Sequence, residues 1–469
     1  MIIGIPKEIK NNEYRVGLMP KHVNELSRKN EVLVQSSAGT GSSFTDNDYL
    51  NAGAKIVNSI EEIYYKSELI VKVKEPLLKE YNLIQPNQKL FTFFHFAASE
   101  ELTLAMMKTK ATCIAYETIE DDSGKLPLLT PMSEVAGRLA GQQAAKFMEK
   151  PQGGSGILVG GVTGTPPAKA IVLGGGTVGT NAADVLVGMG AEVLIFDINK
   201  NRLDEIENEF KGKVNTVYSS IESLKEHLPT TDTVIGAVLV TGAKAPKLIT
   251  KDMLKIMKPK TVLVDVSVDQ GGCFETTKPT THSEPTYSVD DILHYAVANM
   301  PGAVPRTSTH ALSSCTFPYA KILSEKTLDN LDDNFKKGIN LSVRKSPAEI
   351  SSYFFGFSLE IQFGSTLSGI LATGCIKKGI EYLDEPHSSF GGFATLCIVD
   401  FRTLFVCLES MSPTFIISSS SLATASIHSP FLFNTCKPLP CAPIKSVIKL
   451  ISPWAAALSA FLGSFLIGG

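Results

Sequence analysis

A short apolar run, Ala170-Ile-Val-Leu, opens directly into Gly174-Gly-Gly-Thr-Val-Gly179, and no other stretch constrains the fold of this chain as tightly. Gly174, Gly176 and Gly179 stand in GxGxxG spacing between a strand and a helix that runs to about Met189. The first glycine permits a tight turn, the second lets backbone approach a pyrophosphate, and the third lets the helix pack closely. The amides of the first helical turn, at Thr177 and Val178, face the phosphate charge. The spacing alone is weak, because glycine-rich turns are common. Here a second strand, Ala191 to Phe196, ends in Asp197, 18 residues beyond Gly179; a ribose-binding carboxylate is expected about 20 residues on. Together they predict a dinucleotide-binding unit. Asp197 would accept hydrogen bonds from the adenosine ribose and repel a 2′-phosphate, which favours NAD over NADP; Arg202 works the other way, since a guanidinium tolerates that phosphate. The plain alternative is an Asp that merely ends a strand.

From Met1 to about Val343, runs rich in Val, Ile and Leu alternate with helical stretches, as in a parallel sheet covered on both faces. The expected strands are Ile2–Ile5, Glu31–Gln35, Leu69–Val73, Leu90–Phe94, Thr112–Ala115, Ala170–Leu173, Glu192–Phe196, Thr233–Val238 and Thr261–Val268. Pro131 to Met148 reads as a connecting helix, and Pro151 to Thr165, with six glycines, as a flexible crossing between domains. The stretch Ala311 to Leu323 has no strand to lead into and is expected to return to the first domain. The fold class is therefore α/β, with two Rossmann-like lobes of parallel sheet, an interdomain cleft and an atypical C-terminal tail. The expected domains are 1–128 with 307–344 for the substrate, 129–306 for the nucleotide, and 345–469 as the tail.

The tail is set apart by composition. The first 344 residues hold 77 charged side chains and the last 125 hold 14; the tail also has 20 serines and five of the eight cysteines. Its final apolar stretch, Trp454 to Ile467, is short for a bilayer span of roughly 20 residues. It reads either as a membrane-associated appendage or as sequence outside any selected domain, such as a shifted reading frame. The whole chain of 469 residues carries a formal net charge of -3 without long runs of one sign, so neither nucleic acid nor a membrane surface is the expected partner. The cysteines form no CxxC pair, which argues against a zinc site and a secreted disulfide framework. Lys7 and Glu8 stand where a signal peptide would be apolar, and the chain is expected in the cytoplasm.

An enzyme acting on a small acid with a nicotinamide cofactor needs a cation for the carboxylate and a proton donor or acceptor near the reacting carbon. Three candidates lie beyond expected strands of the first lobe: Arg15 in Asn11-Asn-Glu-Tyr-Arg15, Lys74 in Lys72-Val-Lys-Glu-Pro76, and His95 closing Phe91-Thr-Phe-Phe-His95. A fourth, Asp269, follows Val262–Val268. Carboxyl ends of parallel strands are where open α/β sheets bind ligands. Each also has a plain reading: a solvated charge, a surface group, a core histidine, a turn aspartate.

These segments, with Gly4-Ile-Pro-Lys-Glu8, Pro131-Met-Ser-Glu-Val-Ala-Gly-Arg138, Val268-Asp-Gln-Gly-Gly-Cys273 and Val297-Ala-Asn-Met-Pro301, resemble bacterial alanine dehydrogenase from Met1 to about Asn340. The resemblance implies that Arg15 and Lys74 hold a substrate carboxylate, that His95 hydrogen-bonds the carbonyl oxygen of pyruvate, and that Asp269 moves protons to and from water and ammonia. It also implies that Ser133, Ser219, Val238, Leu239, Val297, Asn299 and Met300 line cofactor and substrate, and that Asp197 and Arg202 flank the adenosine. The implied reaction is reversible oxidative deamination of L-alanine to pyruvate and ammonium by a homohexamer with NAD. Two other readings use the same fold: the NAD-binding part of a proton-translocating transhydrogenase, and an NAD-binding module without turnover. The transhydrogenase lacks the Lys74, His95 and Asp269 set, and the module needs no carboxylate-holding cations.

Overall fold

The computed structural model describes residues 1–238 and 245–342 and, farther along, the backbone of two strands. In the first lobe β1 (Ile2–Ile5), β2 (Glu31–Gln35), β3 (Lys55–Val57), β4 (Leu69–Val71), β5 (Lys89–Thr92) and β6 (Thr112–Ala115) are parallel, in the order β3-β2-β1-β4-β5-β6. The second lobe repeats the arrangement. Its β7 (Lys169–Leu173), β8 (Glu192–Asp197), β9 (Asn215–Tyr218), β10 (Thr233–Gly236) and β11 (Val262–Asp265) lie as β9-β8-β7-β10-β11, all parallel. Past β12 (Thr286–Val289), β13 (Ile292–Tyr295) extends that sheet beside β11. Both orders are the doubly wound 3-2-1-4-5-6 arrangement. The central strands are buried on both faces, which is why they read as unbroken apolar runs.

The two-lobed α/β architecture with mostly parallel sheets is the expected one, and antiparallel strands at the sheet edges are added to it. β12 pairs antiparallel with β13, and β14 (Ile339–Leu341) returns antiparallel beside β6. β3, β9, β12, β13 and β14 were not expected from the sequence; each has three or four residues, and β9 and β12 are half-exposed edge strands without an apolar run. Four expected strands also end early, at Val71, Thr92, Gly236 and Asp265. Beyond three of those points side-chain carboxylates replace the neighbouring strand as acceptor: Glu8 takes the Val73 and Lys74 amides, Glu117 those of Phe94 and His95, and Asp265 those of Ser267 and Cys273.

Two long helices join the lobes. The connecting helix is Thr130–Phe147, and the returning helix is Pro305–Glu325, starting earlier than expected. The connecting helix lies against Thr177–Gly188 at backbone distance, since a Cβ on Gly137 would stand 2.2 Å from the Val178 carbonyl. The glycine-rich crossing is tied at both ends, with Gly156 N donating to Met148 O and Ala168 N to Val159 O. One apolar cluster runs through both lobes and both long helices, and a separate cluster covers the far face of each sheet.

Both lobes belong to one compact unit, and the two strands farther along belong to a second. In the second, β15 (Ala394–Asp400) and β16 (Thr403–Leu408) make an antiparallel pair. The serine run 418–421 and the apolar stretch 454–467 lie outside the described residues. Among the described residues no helix is long and apolar enough to cross a membrane.

The returning helix fixes the first lobe through buried hydroxyls. Thr309 Oγ1 accepts from Val16 N at 3.3 Å, Ser313 Oγ accepts from Met19 N at 3.0 Å, and His22 Nδ1 lies 2.7 Å from Ser313 Oγ, its ring stacked on Phe317. Burial, reinforced by nearby Lys21 and His310, pushes the His22 imidazole down to about 4 from 6.5. The fold thus favours neutral His22. Its contribution is complete above pH 6.5 and lost as the pH falls toward about 4, where the folded form also takes the proton. Denaturant titrations across that window should show wild-type stability declining with acid and His22→Gln declining less.

Candidate functional site

Strand order reverses between β1 and β4 in the first sheet and between β7 and β10 in the second. Such switch points leave a crevice at the carboxyl ends of the strands, the usual ligand position in open α/β sheets. Arg15 lies in the chain after β1, Lys74 after β4 and His95 after β5; Gly174 follows β7, Val238 follows β10 and Asp269 follows β11. Arg15 and Lys74 therefore follow the strands that flank the first switch point and Gly174 and Val238 those that flank the second, whereas His95 and Asp269 follow the next strand out; of the candidates, Asp197 alone ends a strand.

Arg15 is 2% exposed. Its Nε donates to Glu13 Oε1 at 2.7 Å and one terminal nitrogen to Glu13 Oε2 at 2.5 Å; that nitrogen also donates to Asn299 Oδ1 at 2.7 Å. Asn299 closes the ring by donating to Glu13 Oε2 at 2.8 Å. Burial would raise the Glu13 carboxyl, but the adjoining Arg15 guanidinium and the hydrogen bonds hold it at about 2. The second terminal nitrogen of Arg15 faces Met132 Sδ at 3.1 Å, on the connecting helix. Arg15 and Asn299 thus join the lobes directly, so the expected cleft is closed at this point. Asn299 sits in the left-handed region at φ 61°, and its carbonyl accepts from Gly302 N.

Lys74 is nearly buried; its Nζ lies 3.6 Å from Glu75 Oε2, and its carbonyl accepts from Thr92 Oγ1 of the neighbouring strand. His95 is exposed and left-handed at φ 53°, its ring stacked on Phe93. Its imidazole makes no hydrogen bond among the described residues. Asp269 is likewise exposed, on the 3₁₀ turn Val266–Gln270, and its carboxylate takes no partner among the described residues. No direct contact joins Lys74, His95 and Asp269 to one another.

In the second lobe a Cβ on Gly179 would stand 1.8 Å from the Gly174 carbonyl, so no side chain fits. A Cβ on Gly176 would meet nothing within 4 Å, and Gly174 has φ +101°. Thr177 and Val178 begin the helix Thr177–Gly188. Asp197 Oδ2 accepts from Gly175 N at 2.7 Å, tying the second strand to the loop. Arg202 donates to the Gly175 carbonyl at 2.8 Å and pairs with Glu205 and Glu209. Ser219 N donates to Asp197 O, and Ser133 is half-buried in the connecting helix. Val238 is half-buried, its carbonyl accepting from Ser267 Oγ at 2.6 Å. Leu239 lies outside the described residues. Val297 and Met300 are core side chains, whereas Asn299 reaches the first lobe.

The sequence reading missed Glu8, Glu13, Glu117 and Asp265. Glu8 and Glu13 lie in Gly4-Ile-Pro-Lys-Glu8 and Asn11-Asn-Glu-Tyr-Arg15, where nothing local tells them from surface charges. Asp265 was hidden within the run Val262–Val268. Its buried carboxyl, raised by desolvation, accepts from Ser267 N, Cys273 N and Thr277 Oγ1 and fixes the turn bearing Asp269.

Residues 4–136 match the N-terminal domain, and residues 140–345 the C-terminal domain, of the family described as alanine dehydrogenase/PNT. The chain belongs to the alanine dehydrogenase/PNT family. Among its members, the alanine dehydrogenase of Halomonas elongata is 52% identical over 345 residues, 73% of this chain and 93% of that protein. That of Mycobacterium tuberculosis is 50% identical over 326 residues, 69% of this chain and 88% of that protein. A solved L-alanine dehydrogenase superposes with a TM-score of 0.72 at 48% identity, covering 76% of this chain and 99% of that one. A transhydrogenase from Sinorhizobium meliloti shares the fold, with a TM-score of 0.62 at 24% identity over 69% of this chain and 95% of that one. The family is thus of two-lobed, Rossmann-like α/β construction.

The Glu13–Arg15 pair makes a direct prediction. Glu13→Ala leaves a buried guanidinium without its countercharge and should lower unfolding free energy by about 3–5 kcal/mol, measured by denaturant titration at neutral pH. Wild-type stability in that variant would mean that Arg15 finds another acceptor.

Proposed function

We propose that this chain is an NAD-dependent alanine dehydrogenase that interconverts L-alanine with pyruvate and ammonium. The observation carrying this reading is the pairing of switch points: the buried cation Arg15 with Lys74 at one, and a glycine loop with a strand-end carboxylate at the other, joined by Asn299. The loop suits a dinucleotide. The space beside Gly176 is open, Gly179 brings the helix onto the strand, and the N-terminus of Thr177–Gly188 supplies amides for a pyrophosphate. Asp197 suits ribose hydroxyls, and because Arg202 is already paired with two glutamates, NAD is favoured over NADP.

Bound NAD would supply the hydride acceptor at the substrate α-carbon. Arg15 and Lys74 hold the carboxylate as paired cations, His95 donates to the carbonyl oxygen, and Asp269 moves protons as water adds and ammonia leaves through a carbinolamine. By family resemblance, Ser133, Ser219, Val238 and Asn299 are assigned to the cofactor side, and Leu239, Val297 and Met300 rest on that resemblance alone. The site residues, the cytoplasmic location and the hexamer follow from resemblance to the family. The domains proposed are 1–128 with 307–344 for substrate and 129–306 for the nucleotide, with 345–469 a tail outside both.

The test is the near-ultraviolet absorbance of reduced nicotinamide when the full chain, and a version ending after Ser342 that retains β14, meet L-alanine and NAD at alkaline pH. Turnover in both supports the dehydrogenase and a dispensable tail; NAD binding without turnover in either leaves a binding module. In the active protein, Asp197→Asn should lower kcat/KM for NAD about tenfold, the scale of one charge-assisted hydrogen bond, and narrow the preference over NADP. An unchanged preference would remove Asp197 from the ribose.

A further inference from the structure

Behind Lys74 lies a buried charge cluster that the reaction itself does not use. β1 and β4 are paired only at Ile3↔Leu69 and Gly4↔Ile70, so their ladder stops before the switch point. Where it stops, Glu8 reaches across. Its Oε1 accepts from Val73 N at 2.6 Å and from Lys74 N at 3.2 Å, two successive amides at the root of the Lys74 side chain. Its Oε2 lies 3.4 Å from the ammonium of Lys72, which is itself 2.8 Å from Glu80 Oε1. Glu80 in turn accepts from Leu77 N and from the Tyr64 hydroxyl. The segment Lys72–Leu77 is therefore held at both ends by buried carboxylates, with one buried ammonium between them.

Stability alone is a poor reason for such a cluster, because apolar side chains of similar volume usually do as well as a buried ion pair. A backbone that must present one cation at a fixed point is a better one, since small displacements of a binding group are costly. We propose that Glu8 is a positioning residue for Lys74: its carboxylate takes the place of the missing strand partner and sets the angle at which Lys74 enters the site, with Lys72 fixing Glu8. This rests on the reading of Lys74 as a holder of the substrate carboxylate.

The test compares Glu8→Gln, Glu8→Asp and wild type in the full chain, following NADH oxidation with pyruvate and ammonium, NADH affinity by fluorescence, and thermal stability. Gln retains the length and an oxygen that accepts both amides but loses the charge facing Lys72; Asp retains the charge and loses the reach. Glu8→Asp should therefore raise KM for pyruvate about tenfold or more, with NADH affinity unchanged. Glu8→Gln should lower the melting temperature while KM for pyruvate stays within about twofold of wild type. A merely structural role predicts the reverse order, with KM insensitive to Asp and every loss following thermal stability; that result overturns the proposal. Inert wild type would overturn the dehydrogenase reading and this inference together, whereas active wild type with unmoved KM in Glu8→Asp overturns only the role of Glu8.

Discussion

Burying a guanidinium at the meeting of two lobes is the constraint from which much of this structure follows. Arg15 keeps its charge in almost complete isolation from water, which is sustainable only if its donors meet strong acceptors in fixed geometry. Glu13, two residues away, supplies a bidentate partner, and Asn299, from the opposite lobe, bonds to both members of the pair. The ring therefore exists only when the lobes are together. The apolar cluster shared through the two long helices holds them in register, and the returning helix clamps the backbone after Arg15 through Thr309 and Ser313.

A second rule governs the carboxyl edges of both sheets. Parallel ladders there stop short, and carboxylates, two from other segments and one at the strand end itself, accept the amides beyond. Glu8 does this beside β4, Glu117 beside β5 and Asp265 at β11. A side chain can bend a backbone in ways that a neighbouring strand cannot, so Lys74, His95 and Asp269 all emerge from segments shaped by an acidic residue as well as by the sheet. Charge at these edges thus does structural work before any chemistry is considered.

What the sequence disclosed follows from how far each signal reaches. The glycine loop and Asp197 were legible because their geometry is local: a strand, a turn and a helix within 30 residues leave little choice of conformation. Lys74 and His95 are legible as polar residues closing apolar runs, and Arg15 as a cation in a polar loop after the first strand, which marks the carboxyl edge without locating it to the residue. The Asn299–Glu13 contact joins positions 286 apart, and no periodicity encodes it. Expected strands ran too long for the same reason: Val73 and Phe94 are as apolar as the strands before them, and the acceptors that draw them out of the ladder, Glu8 and Glu117, lie 65 and 23 residues away. β14 was missed because three residues carry no pattern.

The same ring decides which face of Arg15 is left without a strong acceptor. Its Nε and one terminal nitrogen are committed to Glu13 and Asn299, the strong acceptors of the site. The other terminal nitrogen faces the thioether of Met132, a weak acceptor. On the proposed reading, a carboxylate arriving on that side would replace the weakest of the partners of Arg15 and leave the link between the lobes unbroken. On the opposite side it would have to displace an ionised carboxylate held down to about 2, at a cost that no single new hydrogen bond offsets. If Arg15 holds a substrate carboxylate as proposed, binding and lobe contact fall on different edges of one guanidinium, and the site fills without coming apart.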